Sequence, residues 1–116
     1  MVKRNGYYWG FVPGMSNYRM VVRFGNDPSR CVFLSRNEDY TSAEDVVDFL
    51  RTPKAMKEYG ASYHISGNKI TIIAKKPGDF TLSGKITQGG ERLILRLQGS
   101  DPRIDPMEMY FREMNL

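Results

Sequence analysis

Apolar and polar residues alternate with a period of two along most of the chain, and the runs are broken at short intervals by Gly, Asn and Pro. That rhythm marks half-buried strands. Gly6 to Val12 carries Tyr7, Tyr8, Trp9, Phe11 and Val12, all good strand formers, and stops at Pro13-Gly14, a pair in which Pro fixes φ and Gly accepts a positive one. Tyr18 to Gly25 is the clearest strand, with Tyr18, Met20, Val22 and Phe24 on one face and Arg19, Val21 and Arg23 on the other. Arg30 to Arg36 predicts a third, in which Val32 and Leu34 oppose Cys31 and Phe33.

The middle of the chain changes period. Ser42 stands three residues before Asp45, a carboxylate form of the capping box that satisfies the orphan amides of a helix start. Val46, Phe49 and Leu50 then recur at helical spacing, leaving Glu44, Asp48 and Arg51 to face water. Thr52-Pro53 interrupts this helix, and a second short one is expected from Pro53 to Tyr59, ended by Gly60. The helical insert thus covers about 42–59. Alternation returns in Ala61 to Ile65 and Lys69 to Lys75, which flank the hairpin signal Ser66-Gly67-Asn68. Asp79 to Gln88 follows, with Gly84 suggesting a bend or bulge. After Gly89-Gly90 come Glu91 to Gln98, where Leu93, Leu95 and Leu97 oppose Arg92, Ile94 and Arg96, and then Met107 to Met114. Eight strands joined mostly by tight turns predict an all-β fold: an eight-stranded antiparallel up-and-down meander barrel with a short helical insert between strands three and four. A partly open barrel or a two-sheet sandwich reads almost the same.

Composition narrows the function classes. The 116 residues are 41% hydrophobic and 26% charged, enough apolar content for one self-sufficient domain over residues 1–116. The single cysteine, Cys31, forms no internal bridge, and one Cys with one His excludes a four-ligand Cys/His zinc site. No cofactor is implied. No apolar run approaches a membrane span, and no apolar stretch follows the basic residues Lys3 and Arg4, so a soluble, cytoplasmic protein is expected. A net charge of +4 permits an acidic partner without requiring one.

Several phrases carry a resemblance: the Gly-aromatic-aromatic-Trp start at Gly6 to Trp9, the Tyr18 to Phe24 strand, Tyr63 to Ile73, Gly84 to Thr87, and the closing Tyr110-Phe111-Arg112. Together they resemble the small bacterial lipocalin-like domains. The resemblance implies a meander barrel and assigns Trp9 and Arg112 to a structural pair, an indole under a guanidinium at the closed end. Such stacking contributes about 0.5–2 kcal/mol. A fainter similarity, in Tyr18 to Phe24 and Val47 to Thr52, is to the carboxy-terminal domain of some F-box adaptor proteins and points to protein binding.

The expected inward row is Tyr18, Met20, Val22, Phe24, Tyr63, Ile65, Ile70, Ile72, Phe80, Leu82, Leu93, Leu95, Met107, Met109 and Phe111. It either lines a cavity for a small apolar or amphipathic ligand or fills the space as a dry core, since an eight-stranded barrel allows both. A filled core makes the chain a protein-interaction module, with Phe33, Ile73, Ile94, Tyr110 or the helical insert as the exposed apolar patch. A basic stripe of Arg19, Arg23, Arg92, Arg96, Lys75, Lys76 and Lys85 suits single-stranded nucleic acid. Glu91 and Glu108 dilute it, and this partner is disfavoured. His64 and Cys31 alternate away from the inward row and lack a partner base, so no enzyme is expected. Glu38, Asp39, Glu44, Asp45 and Asp48 read as helix caps and solvated surface. The leading expectation is a non-catalytic binding domain.

Overall fold

Every alternating run forms a strand. The computed structural model describes residues 1–37, 42–75 and 79–114, so Glu38, Asp39 and Lys76 lie outside the described residues. The strands are β1 (Gly6–Val12), β2 (Met15–Phe24), β3 (Arg30–Asn37), β4 (Gly60–Ser66), β5 (Lys69–Ala74), β6 (Phe80–Thr87), β7 (Arg92–Leu97) and β8 (Met107–Glu113). Each pairs antiparallel with its chain neighbour, and β8 returns to β1 through Gly6↔Glu113, Tyr7↔Arg112, Tyr8↔Phe111 and Trp9↔Tyr110. The sheet is therefore a closed eight-stranded meander barrel, with β3 and β4 joined only through Arg30↔Ser62, Cys31↔Ala61 and Val32↔Gly60.

Closure demands strong curl, and glycine facing inward permits it. A Cβ on Gly84 would lie 1.7 Å from the Ile94 carbonyl oxygen, and one on Gly10 would lie 2.2 Å from that of Glu108. The bend or bulge expected at Gly84 is thus a close backbone approach in unbroken register: Ile70↔Gly84 and Gly84↔Leu95 continue the ladders on both sides. The register shift of the β1–β2 ladder falls instead between Phe11 and Val12.

Two helices, α1 (Ala43–Leu50) and α2 (Pro53–Tyr59), connect β3 to β4. Ser42 caps α1 in a reciprocal capping box with Asp45. Thr52 starts α2 with an extended backbone but no side-chain cap; its hydroxyl donates to the Phe49 carbonyl at 2.7 Å and ties α2 to the end of α1. Val46 and Leu50 of α1 and Ala55 of α2 are buried against Tyr7, Trp9, Val21, Val32 and Leu34. The barrel therefore has two apolar layers, one inside and one sandwiched between its outer wall and the helices.

That second layer corrects the assignment of β3. Pairing of Val22 with Phe33 and of Phe24 with Cys31 turns Phe33 and Cys31 inward, while Val32 and Leu34 face the helices. Cys31 therefore belongs to the inner row, and Phe33 is no surface patch. Alternation could not distinguish the faces, because both are apolar and both are buried.

The two barrel ends differ. At one end the amino-terminal segment lies across the opening: Val2 is buried in the inner core, and the Lys3 amide donates to the Tyr8 hydroxyl at 2.8 Å. That hydroxyl in turn donates to the Gly90 carbonyl at 2.6 Å. Lys3 pairs with Glu91, and Arg4 donates to the Gly25 carbonyl. The opposite end carries the Pro13-Gly14 turn and the loop 98–106, and it is open.

Candidate functional site

The open end holds a recess of about 390 Å³. Its floor and walls are the upper inward positions of five strands: Val12 of β1, Met20 of β2, Phe80 and Leu82 of β6, Leu95 and Leu97 of β7, and Met107 of β8. Period-two alternation supplies these residues: the next inward position on each strand lies two residues deeper, Gly10 below Val12, Val22 below Met20, Gly84 below Leu82, Leu93 below Leu95 and Met109 below Met107. Below them Tyr8, Phe24, Phe33, Ile70, Ile72, Leu93 and Met109 are fully enclosed and pack the remainder of the barrel. Ring contacts knit that lower core: Tyr8 meets Phe24 edge-on at 5.7 Å and Phe111 at 5.4 Å, and Phe24 meets Tyr63 at 4.9 Å. The choice between cavity and dry core resolves by depth, with side chains filling one end and leaving the other hollow.

The rim is built by the loop 98–106. Its Ser100 amide donates to the Leu97 carbonyl and its Ile104 amide to that of Asp101, while Asp101 and Arg103 form a forked ion pair. The Arg103 guanidinium, with its backbone amide, holds the Asp101 carboxyl below the usual carboxylate range. Arg96 reaches from the outer wall to donate to the Ile104 carbonyl at 2.6 Å. That bond sets Ile104 over the recess, with Asp105 and Ser100 as the polar edge. The recess is therefore apolar within and polar only at its lip.

Of the inward row expected from the sequence, the structure brings Met20, Phe80, Leu82, Leu95 and Met107 to the recess. Val22, Phe24, Tyr63, Ile70, Ile72, Leu93 and Met109 lie inside the barrel but in the packed core, with Phe111 beside them. Tyr18 is half-buried and belongs to neither apolar layer. The inward row did not include Val12, Pro13, Leu97 and Ile104, nor the lip residues Arg96, Ser100 and Asp105. The signal for Ile104 was present: an isolated aliphatic residue between two Asp-Pro pairs in an otherwise polar loop.

Trp9 and Arg112 do meet, with the guanidinium 5.5 Å from the indole ring. The contact lies on the outer wall beside the helices, however, since Trp9 shares the outer layer with Tyr7 and Val21. The residue inside the sealed end is Tyr8. Burial raises its hydroxyl pKa, which the bond from the Lys3 amide partly offsets. His64 is exposed on the outside of β4. Burial pushes the Cys31 thiol up to about 12, so it is an inert core group. Among the described residues no cluster of three His, Cys, Asp or Glu could hold a metal ion, and no helix is long and apolar enough to cross a membrane.

The expected surface patches divide in the same way. Ile73 on β5 and Tyr110 on β8 are exposed but separated by β6 and β7, and Ile94 is half-buried. Of the basic stripe, Arg23 is drawn under α1, donating to the Leu50 carbonyl at 3.0 Å, whereas Arg19 and Arg92 lie on the wall formed by β2, β1, β8 and β7. No protein-family model, curated protein or solved structure matches the chain.

Proposed function

We propose that the protein is a non-catalytic binding domain whose open barrel end takes one small apolar molecule, or the apolar end of an amphipathic one. The observation that carries this proposal is the 390 Å³ recess with aliphatic, Met and Phe walls and polar groups confined to its lip. Its volume falls at the small end of ligand pockets, about 300–1,000 Å³. Met20 and Met107 adapt the walls to varied shapes. A ligand enters from one side only, because the Val2 segment covers the other. The chemistry of the lone imidazole and the lone thiol supports the non-catalytic part: His64 stands on the outer wall and Cys31 is buried in the core.

Native mass spectrometry and displacement of a polarity-sensitive dye test the proposal. A medium-chain fatty acid or the dye should bind in a one-to-one complex, and Leu95→Trp, which fills the recess, should abolish uptake while the barrel stays folded. Absence of any adduct or dye uptake across fatty acids, retinoids and dyes would refute it.

A further inference from the structure

The outer wall of β2, β1, β8 and β7, where Trp9 borders the layer under the helices, carries a second arrangement that the recess does not use. Four neighbouring strands present cations and aromatic rings in alternation. On β2, Arg19 lies 3.8 Å over the Phe11 ring and 4.8 Å over that of Trp9 on β1. On β8, the Arg112 guanidinium lies 5.5 Å from the Trp9 ring, and Tyr110 pairs in register with Trp9 on β1 and Arg92 on β7. Arg92 in turn lies 5.8 Å from the Tyr110 ring. Phe11 and Tyr110 are 45% and 49% exposed, large values for rings on a strand wall.

We propose that this wall is a binding strip for single-stranded nucleic acid, with bases stacked on Phe11 and Tyr110 and phosphates held by Arg19, Arg112 and Arg92. Two features together select that partner. Half-exposed aromatic rings want flat apolar surfaces, which unpaired bases supply and a duplex hides. The flanking guanidiniums want anions at short intervals, as a phosphate backbone provides. Diagonal neighbours across two strands stand roughly 7–8 Å apart, so the two rings offer seats for two unstacked bases. Glu108, ion-paired with Arg92, is the opposing charge within the strip.

Fluorescence anisotropy with a labelled oligothymidine of about 12 nucleotides tests this on the intact chain. Binding should weaken steeply between about 50 and 200 mM salt. Phe11→Ala and Tyr110→Ala should each weaken it by about fivefold or more, and Arg112→Gln should lower the salt slope by about 0.7. Glu108→Gln should tighten binding, a gain that misfolding cannot imitate. The near-UV signal of Trp9 verifies folding of each variant. Dye uptake by the recess should be unchanged, so failure of one proposal is distinguishable from failure of the other. No binding at about 50 mM salt would overturn the proposal. So would a duplex competing equally, or indifference to both ring truncations; either result would mean charge attraction alone.

Discussion

At the scale of single residues, Cys31 links burial to pH. Its thiol faces the barrel interior between Phe24 and Ala61, its partners on the adjacent strands. Burial raises its pKa from 9.0 to about 12, and the charge of Arg30 offsets only part of that. The folded state therefore holds the thiol proton more tightly than the unfolded chain does. The associated stability is intact below the unfolded value and is lost as pH rises from about 9 towards 12, at up to about 1.4 kcal/mol per pH unit. Urea unfolding of the wild type and Cys31→Ala across this alkaline window should show the wild type declining more steeply. Parallel declines would contradict the assignment. The same direction holds for the buried Tyr8 hydroxyl at higher pH. The inward position of Cys31 was not legible in the sequence, because α1 and α2 cover the other face of β3 and make both of its faces apolar. The contact of Trp9 with Arg112 was legible from a motif, whereas its place outside the barrel depends on which face the helices cover.

Among the elements, the β6–β7 ladder tests how the barrel curls. A side chain on Gly84 meets the backbone of Ile94, which has no rotamer to move away. Gly84→Ala should destabilise the protein by about 3 kcal/mol or more, the upper range for overpacking. Gly25→Ala, with nothing within 4 Å of the added carbon, should change stability by about 0.5 kcal/mol or less. Equal midpoints in urea would show that the ladder relaxes freely. The helices and strands themselves were readable because their signals are local. Ser42 and Asp45 lie one turn apart, Pro53 terminates one helix and opens the next, and alternation needs only neighbours along the chain. The behaviour of Gly84 was readable only as an irregularity. Whether a glycine allows a bulge or a close approach depends on the strand beside it.

For the molecule as a whole, the meander follows from short turns, since each one leaves the chain nothing closer to pair with than the strand just made. Closure was a further step that the sequence left open, and it depends on β1 and β8 meeting across Trp9 and Tyr110. The recess was legible only in its chemistry. The inward row announced apolar walls, but how much of the interior side chains fill, and how Arg96 seats Ile104 at the rim, are properties of the assembled barrel. The β1–β8 seam joins residues more than a hundred positions apart, Gly6 to Glu113, and the Met114 amide donates to the Asn5 carbonyl at 3.0 Å beside it. A circular permutant that tethers residue 114 to residue 1 by a short flexible bridge and opens the chain at Gly67 would turn this seam into a local hairpin and make β4–β5 the long-range closure. It should recover the parent's near-UV spectrum. Persistent loss of that spectrum would mean that the order in which the staves are threaded, and not only their final adjacency, determines whether the cask is made.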